Sequence, residues 1–284
     1  MAKSGFILPD GIKPVLGVDD IVGMAPKLAD HRKLIEWLLH VLKVDEVNYV
    51  HGKYCDTPGA EFVRRLVEED LRIKLRVDNA EVLENLPKGA FVTVSNHPFG
   101  ALDGIVLIYL ITRYRPEYKV MVNMILNHLW AMRPNFIAVD AMQSADPAKK
   151  AVSMRGIKEA IMQVRGGEPV GFFPAGAMSK VNARLRLQDR PWQENIIRLI
   201  MQLKVPVIPI FFNGSNSWWF NFLGVACWQA RTLRLPAELF RKRNREIHVS
   251  VGNPISMEII NQHSGSVDEL GSFLRERTYS LRCK

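Results

Sequence analysis

A mostly parallel α/β sheet, flanked by helices on both faces and preceded by an N-terminal helical extension, is the fold class this sequence predicts. Three observations carry it. Short β-rich runs alternate with helical patterns from residue 72 onward, the order that builds βαβ units. One of those runs, "AFVTVS" (90–95), is apolar on both parities, as a strand buried on both faces must be. No low-complexity tract, long Gly/Ser linker, charge block or solenoid repeat divides the 284 residues. The expected division is an extension over 1–74, packed on the core, and one α/β domain over 75–284.

Taken in order, "DHRKLIEWLLHVLK" (30–43) reads as an amphipathic helix. Asp30 is its N-cap, and Leu34, Trp37, Leu38 and Val41 form a stripe predicted to pack on the core. "PGAEFVRRLVEEDL" (58–71) reads as a second helix, with Phe62, Val63 and Leu66 facing inward. "RIKLRV" (72–77) alternates apolar and basic residues, the pattern of a half-exposed strand. After the central strand, residues 103–113 read as a helix. Further strands are expected in "NFIAVD" (135–140), "EPVGFFPAG" (168–176), "VPVIPIFF" (205–212) and "EIHVSVG" (246–252). Between them "KKAVSMRGIKEAIMQVR" (149–165) keeps apolar residues at 154, 157, 161 and 164, a helical face.

Composition narrows the function classes. Hydrophobic residues make up 48% and charged residues 24%, an ordinary globular balance. Cys55, Cys227 and Cys283 form no spaced pair, which argues for a reducing compartment and against a disulfide framework. "MAKSGFILPDGIKP" lacks the apolar stretch of a signal peptide. The longest apolar runs, "GIVLIYLIT" and "VPVIPIFF", fall well short of the roughly 20 residues of a membrane span. A net charge of +9 favours anionic partners such as nucleic acid, acidic lipid or an acidic carrier protein, although solubilising charge accounts for it equally well. The cations are dispersed apart from "FRKRNRE" (240–246), and no nucleic-acid recognition module is visible.

In such sheets functional groups gather where strands end. Here those points are His97, Gly176 and Asn213–Ser215. No glycine-rich loop ends in Lys-Ser or Lys-Thr, which argues against a nucleotide P-loop. No metal ligand set has zinc spacing, and His51 and Cys55 read as a surface pair. "VSNHP" lacks the nucleophile elbow of a serine hydrolase. What remains is "SNHPFGALDG" (95–104), with two readings: a turn in which Asp103 caps a helix, or a general base with its orienting carboxylate. An imidazole accepts a hydroxyl proton near neutral pH, and a carboxylate on its other nitrogen fixes the tautomer and stabilises the imidazolium.

"SNHPFGALDG" resembles the Asn-His…Asp motif of the glycerolipid acyltransferase superfamily. "VGFFPAGAMSK" (170–180) is similar to that family's Phe-Pro-Glu-Gly-Thr-Arg-Ser block, and "RPNFIAVD" (133–140) and "VPVIPIFFNGSNS" (205–217) fall where its other two blocks would be. Four blocks in order span about residues 75 to 255. The resemblance implies a catalytic His97–Asp103 pair and no metal or redox cofactor. It also implies substrate contacts at Asn96, Phe99, Gly100, Phe173, Pro174, Ala175, Gly176, Ser179, Lys180 and Arg184. The implied reaction is O-acyl transfer from a thioester, on acyl carrier protein or coenzyme A, to a lyso-lipid hydroxyl. Backbone amides around Ala175 and Gly176 are the expected oxyanion donors.

Departures from the pattern refine the expectation. Five residues, Pro98 to Leu102, separate His97 from Asp103, where the family usually has four. The Glu, Thr and Arg of the third block are Ala175, Ala177 and Met178, and Ala141 stands where many members carry an Arg. The resemblance implies that those arginines hold an acceptor phosphate, so their loss points to an acyl-amino-acid lyso-lipid over lysophosphatidic acid, with Arg133, Arg184 and Arg186 as possible substitutes. "NHPFGALDG", "FPAG" and "DRPW" (189–192) are similar to the hemolysin-annotated, bacterial branch, with its lyso-ornithine lipid and N-acyl-glycine O-acyltransferases. "DRPW" also reads as a helix start with Pro191 in the first turn. A lipid substrate implies peripheral contact with the cytoplasmic face of the inner membrane. "NSWWFNFLG" (216–224) suits either that interface or a core helix.

Overall fold

A computed structural model describes residues 8, 11–24, 26–140, 146–181, 187–226 and 228–283. The strands are β1 (Lys74–Asp78), β2 (Val92–Ser95), β3 (Lys119–Asn123), β4 (Phe136–Val139), β5 (Val170–Phe172), β6 (Lys180–Val181), β7 (Leu187–Gln188), β8 (Val207–Asn213) and β9 (Glu246–Val251). The first helices are α1 (Val18–Met24), α2 (Arg32–Val41), α3 (Val44–Tyr54), α4 (Ala60–Arg65), α5 (Glu81–Glu84), α6 (Ala101–Thr112) and α7 (Pro147–Arg165). The rest are α8 (Glu194–Leu203), α9 (Trp218–Ala226), α10 (Trp228–Leu233), α11 (Leu235–Phe240), α12 (Met257–Gln262) and α13 (Val267–Tyr279).

The main sheet has seven strands in the order β1-β9-β8-β2-β5-β3-β4. From β8 to β4 the pairs are parallel; β9 runs antiparallel to β8, and β1 parallel to β9. The predicted mostly parallel α/β sheet is therefore present. β2 is central and fully buried, as its double-parity apolar pattern requires, and β1 is the half-exposed edge that "RIKLRV" announces. One apolar cluster joins α4 and α6 to one face of the sheet. A second joins α7, α8 and α13 to the other. The pleat divides a single strand between them: Val120 and Val122 of β3 enter the first cluster, Met121 the second.

Two helices differ from expectation. α2 begins at Arg32, after a 3-10 turn over Pro26–His31, so Asp30 lies inside that turn and not at the N-cap. Its buried residues are Ile35 and Leu39, while Leu34, Trp37, Leu38 and Val41 face solvent. The expected stripe is real but points outward. In α7 the expected face holds at Ile157, Ile161 and Val164, which pack on the second cluster, and fails at Met154, which is exposed; Gly156, Ala160 and Gln163 are also buried. A Cβ on Gly156 would lie 2.4 Å from the Ala138 carbonyl oxygen, so the helix approaches the strand closely there.

His51 and Cys55 are buried, contrary to their surface reading. α3 turns His51 into a pocket of Phe62 and Trp130, where its Nε2 accepts the Ala131 N–H at 3.2 Å. Burial pushes the imidazole down to about 4. A folded value below the ordinary 6.5 stabilises the protein fully above pH 6.5, and the contribution declines as pH falls toward 4. By pH 5 the loss is about 2 kcal/mol. The urea midpoint should therefore drop between pH 7 and pH 5, and the drop should shrink in His51→Gln, whose amide oxygen still accepts the Ala131 N–H. An undiminished drop in that variant assigns the acid lability elsewhere.

Candidate active site

Parallel strands β8, β2 and β5 deliver three loops to one edge of the sheet. The loop after β2 carries His97, the loop after β5 carries Phe173 to Ser179, and the loop after β8 carries Gly214 to Ser217. Asn96 ties the first to the third. Its Nδ2 donates to the Phe212 carbonyl at 3.0 Å, and its Oδ1 accepts the Phe212 N–H at 2.7 Å. That carboxamide is engaged in framing the site. Asn216 donates to the Phe99 carbonyl at 3.1 Å, holding the same two loops together.

Asp103 is the third residue of α6 and has no solvent exposure. Its Oδ2 accepts the N–H groups of Phe99 at 2.9 Å and Gly100 at 3.0 Å, so it does cap the helix. The same oxygen lies 2.9 Å from Nδ1 of His97. The contact is short but off the axis of a hydrogen bond, and Nδ1 has no aligned partner among the described residues. Both readings of "SNHPFGALDG" hold at once. Burial raises the Asp103 carboxyl above the ordinary range, with His97 and the two amides pulling the other way.

Gly100 has φ +79° and lets the five-residue connection turn into α6; a Cβ there would lie 2.6 Å from Sδ of Met178. The side chain in the family's arginine position thus packs against the turn that presents Asp103. Phe173 stacks on the His97 ring at 4.2 Å between centroids. Pro174 and Ala175 are buried. Gly176 has φ +63° beside the Gln193 side chain, and its N–H donates to the Phe173 carbonyl at 2.9 Å, which commits one expected oxyanion donor to the turn. Phe99 is buried, with the Lys242 ammonium 4.5 Å from its ring centre. Lys180 is exposed, and Arg184, Arg186 and Ala141 lie outside the described residues.

Asp189 and Arg231 join this neighbourhood without having been singled out in the sequence as site residues, and the expected contacts Ser179 and Arg133 take structural partners. Ser179 donates its N–H to the His97 carbonyl at 2.9 Å and its hydroxyl to Asp189. Asp189 also accepts the His97 N–H at 3.3 Å. "DRPW" therefore latches the third block to the histidine loop. Pro191 precedes the N-cap of α8, Gln193, and does not occupy the helix's first turn. Arg231 donates to the Ser179 carbonyl at 2.6 Å. Arg133 instead turns outward to the Asn127 carbonyl.

Among the described residues, one group offers a metal-ligand set: Asp78, His248 and Cys283, with Nε2 of His248 2.6 Å from Oδ2 of Asp78. It lies on β1, β9 and the C-terminal segment, and spacing along the chain gives no sign of it. "FRKRNRE" is not an open basic patch. Arg243 pairs with Glu46 and, at 2.6 Å, with Asp70, and Lys242 donates to the Ser215 carbonyl.

Chemically, the His97–Asp103 pair can move a proton, with Nδ1 toward the carboxylate and Nε2 left for a substrate. A sequence model of the acyltransferase family matches residues 20–284. The chain is 28% identical over 256 residues to the lyso-glycine lipid O-acyltransferase of Bacteroides thetaiotaomicron, covering 87% of this chain and 89% of that one. It is 25% identical over 262 residues to the enzyme of the same name from Phocaeicola vulgatus, with 88% of each chain covered. Among solved structures it is similar to the 1-acyl-sn-glycerophosphate acyltransferase PlsC from Thermotoga maritima, with TM-score 0.48, 14% identity, and 82% and 78% of the two chains covered. With its full-length sheet and motif blocks inside the matched span, this chain belongs to the acyltransferase family.

Proposed function

We propose that the protein transfers a fatty acyl group from a thioester, on acyl carrier protein or coenzyme A, to the hydroxyl of an acyl-amino-acid lyso-lipid. The observation that carries this reading is the His97 imidazole resting against the Asp103 carboxylate at the end of the central strand. The two curated relatives, named for a lyso-glycine lipid acceptor, support its lipid side. In the mechanism, Nε2 of His97 takes the acceptor's hydroxyl proton as that oxygen attacks the thioester carbonyl. The tetrahedral intermediate then expels the thiolate, which collects the proton from the imidazolium. Asp103 holds the tautomer and faces the charge on the ring. General-base hydrogen bonds are often poorly aligned without substrate and tighten when it seats.

Met178 supports an acceptor without a phosphomonoester, since an apolar thioether packed on Gly100 offers no guanidinium fork to a phosphate. Peripheral membrane contact at the cytoplasmic face fits α9. Trp218, Trp219 and Phe222 are 68%, 61% and 49% exposed and contact one another, while Phe220 is fully buried. No described helix is long and apolar enough to cross a membrane.

Four outcomes are expected. His97→Ala and Asp103→Asn should each lower turnover by roughly 10³- to 10⁴-fold. Asp103→Asn should also keep or raise the thermal midpoint, with the gain over wild type growing as pH climbs above the ordinary carboxyl value of 3.8, because burial opposes the ionised form. Near-wild-type turnover in that variant would remove Asp103 from the mechanism. In side-by-side kinetics, an N-(3-hydroxyacyl)glycine acceptor should give a higher kcat/KM than lysophosphatidic acid; the reverse order overturns the acceptor but not the family. Replacing Trp218, Trp219 and Phe222 together by Ser should reduce co-sedimentation with vesicles containing anionic lipid, and unchanged binding would move the contact elsewhere.

A further inference from the structure

α10 sets Arg231 against the third block. Its residue is only 5% exposed, its guanidinium lies 4.9 Å from the centre of the Phe220 ring, and Nη2 donates to the Ser179 carbonyl. Nε is buried with no hydrogen-bond partner among the described residues. Arg231 takes part in none of the ion pairs found among those residues. A buried cation without an anion is costly, and a carbonyl and a ring face answer its charge only in part. Burial, together with the charge of nearby Arg190, pulls this guanidinium down to about 10, the direction an unmet positive charge produces.

The surroundings are built around it. A Cβ on Gly224 of α9 would lie 2.7 Å from Cδ and 2.8 Å from Nη1 of Arg231, so that helix is hollowed where the guanidinium passes. The outer face of the same helix carries the exposed Trp218, Trp219 and Phe222. On the other side, Ser179 links the guanidinium to the histidine loop, through its carbonyl to Arg231 and its N–H to His97. A molecule with an anionic head and an apolar body matches this order of charge, then aromatic surface, with its reacting group near His97.

We propose that Arg231 is the anion subsite of the acceptor, receiving the carboxylate of an amino-acid headgroup on the unengaged Nε edge of its planar fork. A carboxylate matches a single guanidinium in both charge and shape. The inference rests on the acyl-amino-acid reading above and assigns its headgroup contact to a residue outside all four motif blocks.

The test is a cycle of two enzymes and two acceptors: wild type and Arg231→Gln, each with an N-(3-hydroxyacyl)glycine and with its neutral glycinamide. Wild type should prefer the carboxylate by roughly ten- to a hundredfold in kcat/KM, and the ratio should fall to near one in Arg231→Gln. A ratio that survives the substitution overturns the subsite, as does an equal slowing of both acceptors, the mark of a merely structural role. Should Arg231→Gln fail to fold, Arg231→Lys keeps the charge without the fork and should lose most of the preference; full preference there overturns the proposal. If wild type turns over neither acceptor, the acceptor reading fails, and calorimetric titration with the same N-acylglycine decides the subsite. Binding weakened in Arg231→Gln supports it, and absent or unchanged binding overturns it.

Discussion

The Asp103 carboxylate is the constraint on which the site's geometry depends. It sits wholly out of water, where burial opposes its charge, and it is held there by two amide N–H groups, a helix N-terminus and the His97 imidazole. Each support imposes a condition on the chain. The amides of Phe99 and Gly100 converge on one oxygen because Gly100 adopts a positive φ. That conformation brings the third block close, since Met178 and Leu235 occupy the space a side chain at position 100 would need. The third block in turn is fixed to His97 through Ser179 and Asp189. A single buried charge thus couples the histidine loop, the third block and α11.

The extra residue between His97 and Asp103 shows how such coupling absorbs a change of length. Asp103 is the third residue of its helix, and the connection from His97 bends at Gly100, whose positive φ lets five residues bring the carboxylate back to the ring. Oδ2 lies 2.9 Å from Nδ1, close enough for a hydrogen bond but off its axis. Because Oδ2 already accepts two amides, the imidazole approaches an oxygen whose best-aligned positions are occupied. The motif is local enough to be legible as sequence, yet its alignment depends on a turn that residue types alone do not specify.

Legibility elsewhere followed the range of the interaction. β2 was readable because burial on both faces leaves no polar parity, and β1 because an edge exposes one. The stripe Leu34, Trp37, Leu38 and Val41 was readable as a stripe but not as a facing direction. Periodicity records that a helix has an apolar side, and the same spacing serves a protein core or a lipid surface. In α7 the large apolar residues Ile157, Ile161 and Val164 were readable as the inward face, but Gly156 and Ala160, which let the helix approach the sheet, leave no trace in a pattern of large apolar residues. Asp189, Arg231 and the Asp78–His248–Cys283 group come together through sheet pairing and helix docking across long stretches of chain, so no spacing rule reaches them.

The same distinction governs the charge. An excess of +9 counts every cation alike, but the fold assigns them different work. Arg243 pairs with Glu46 of α3 and Asp70 ahead of β1, and Arg115 binds Glu117 and the Gly167 carbonyl, so neither adds to a long-range field. Lys242, half-buried beside Phe99, is lowered by burial and helps hold the third loop through Ser215. Arg231 is more deeply buried than these and, among the described residues, pairs with no carboxylate. Its guanidinium meets the Ser179 carbonyl and the face of the Phe220 ring but, among the described residues, no carboxylate, so the chain answers that charge only in part.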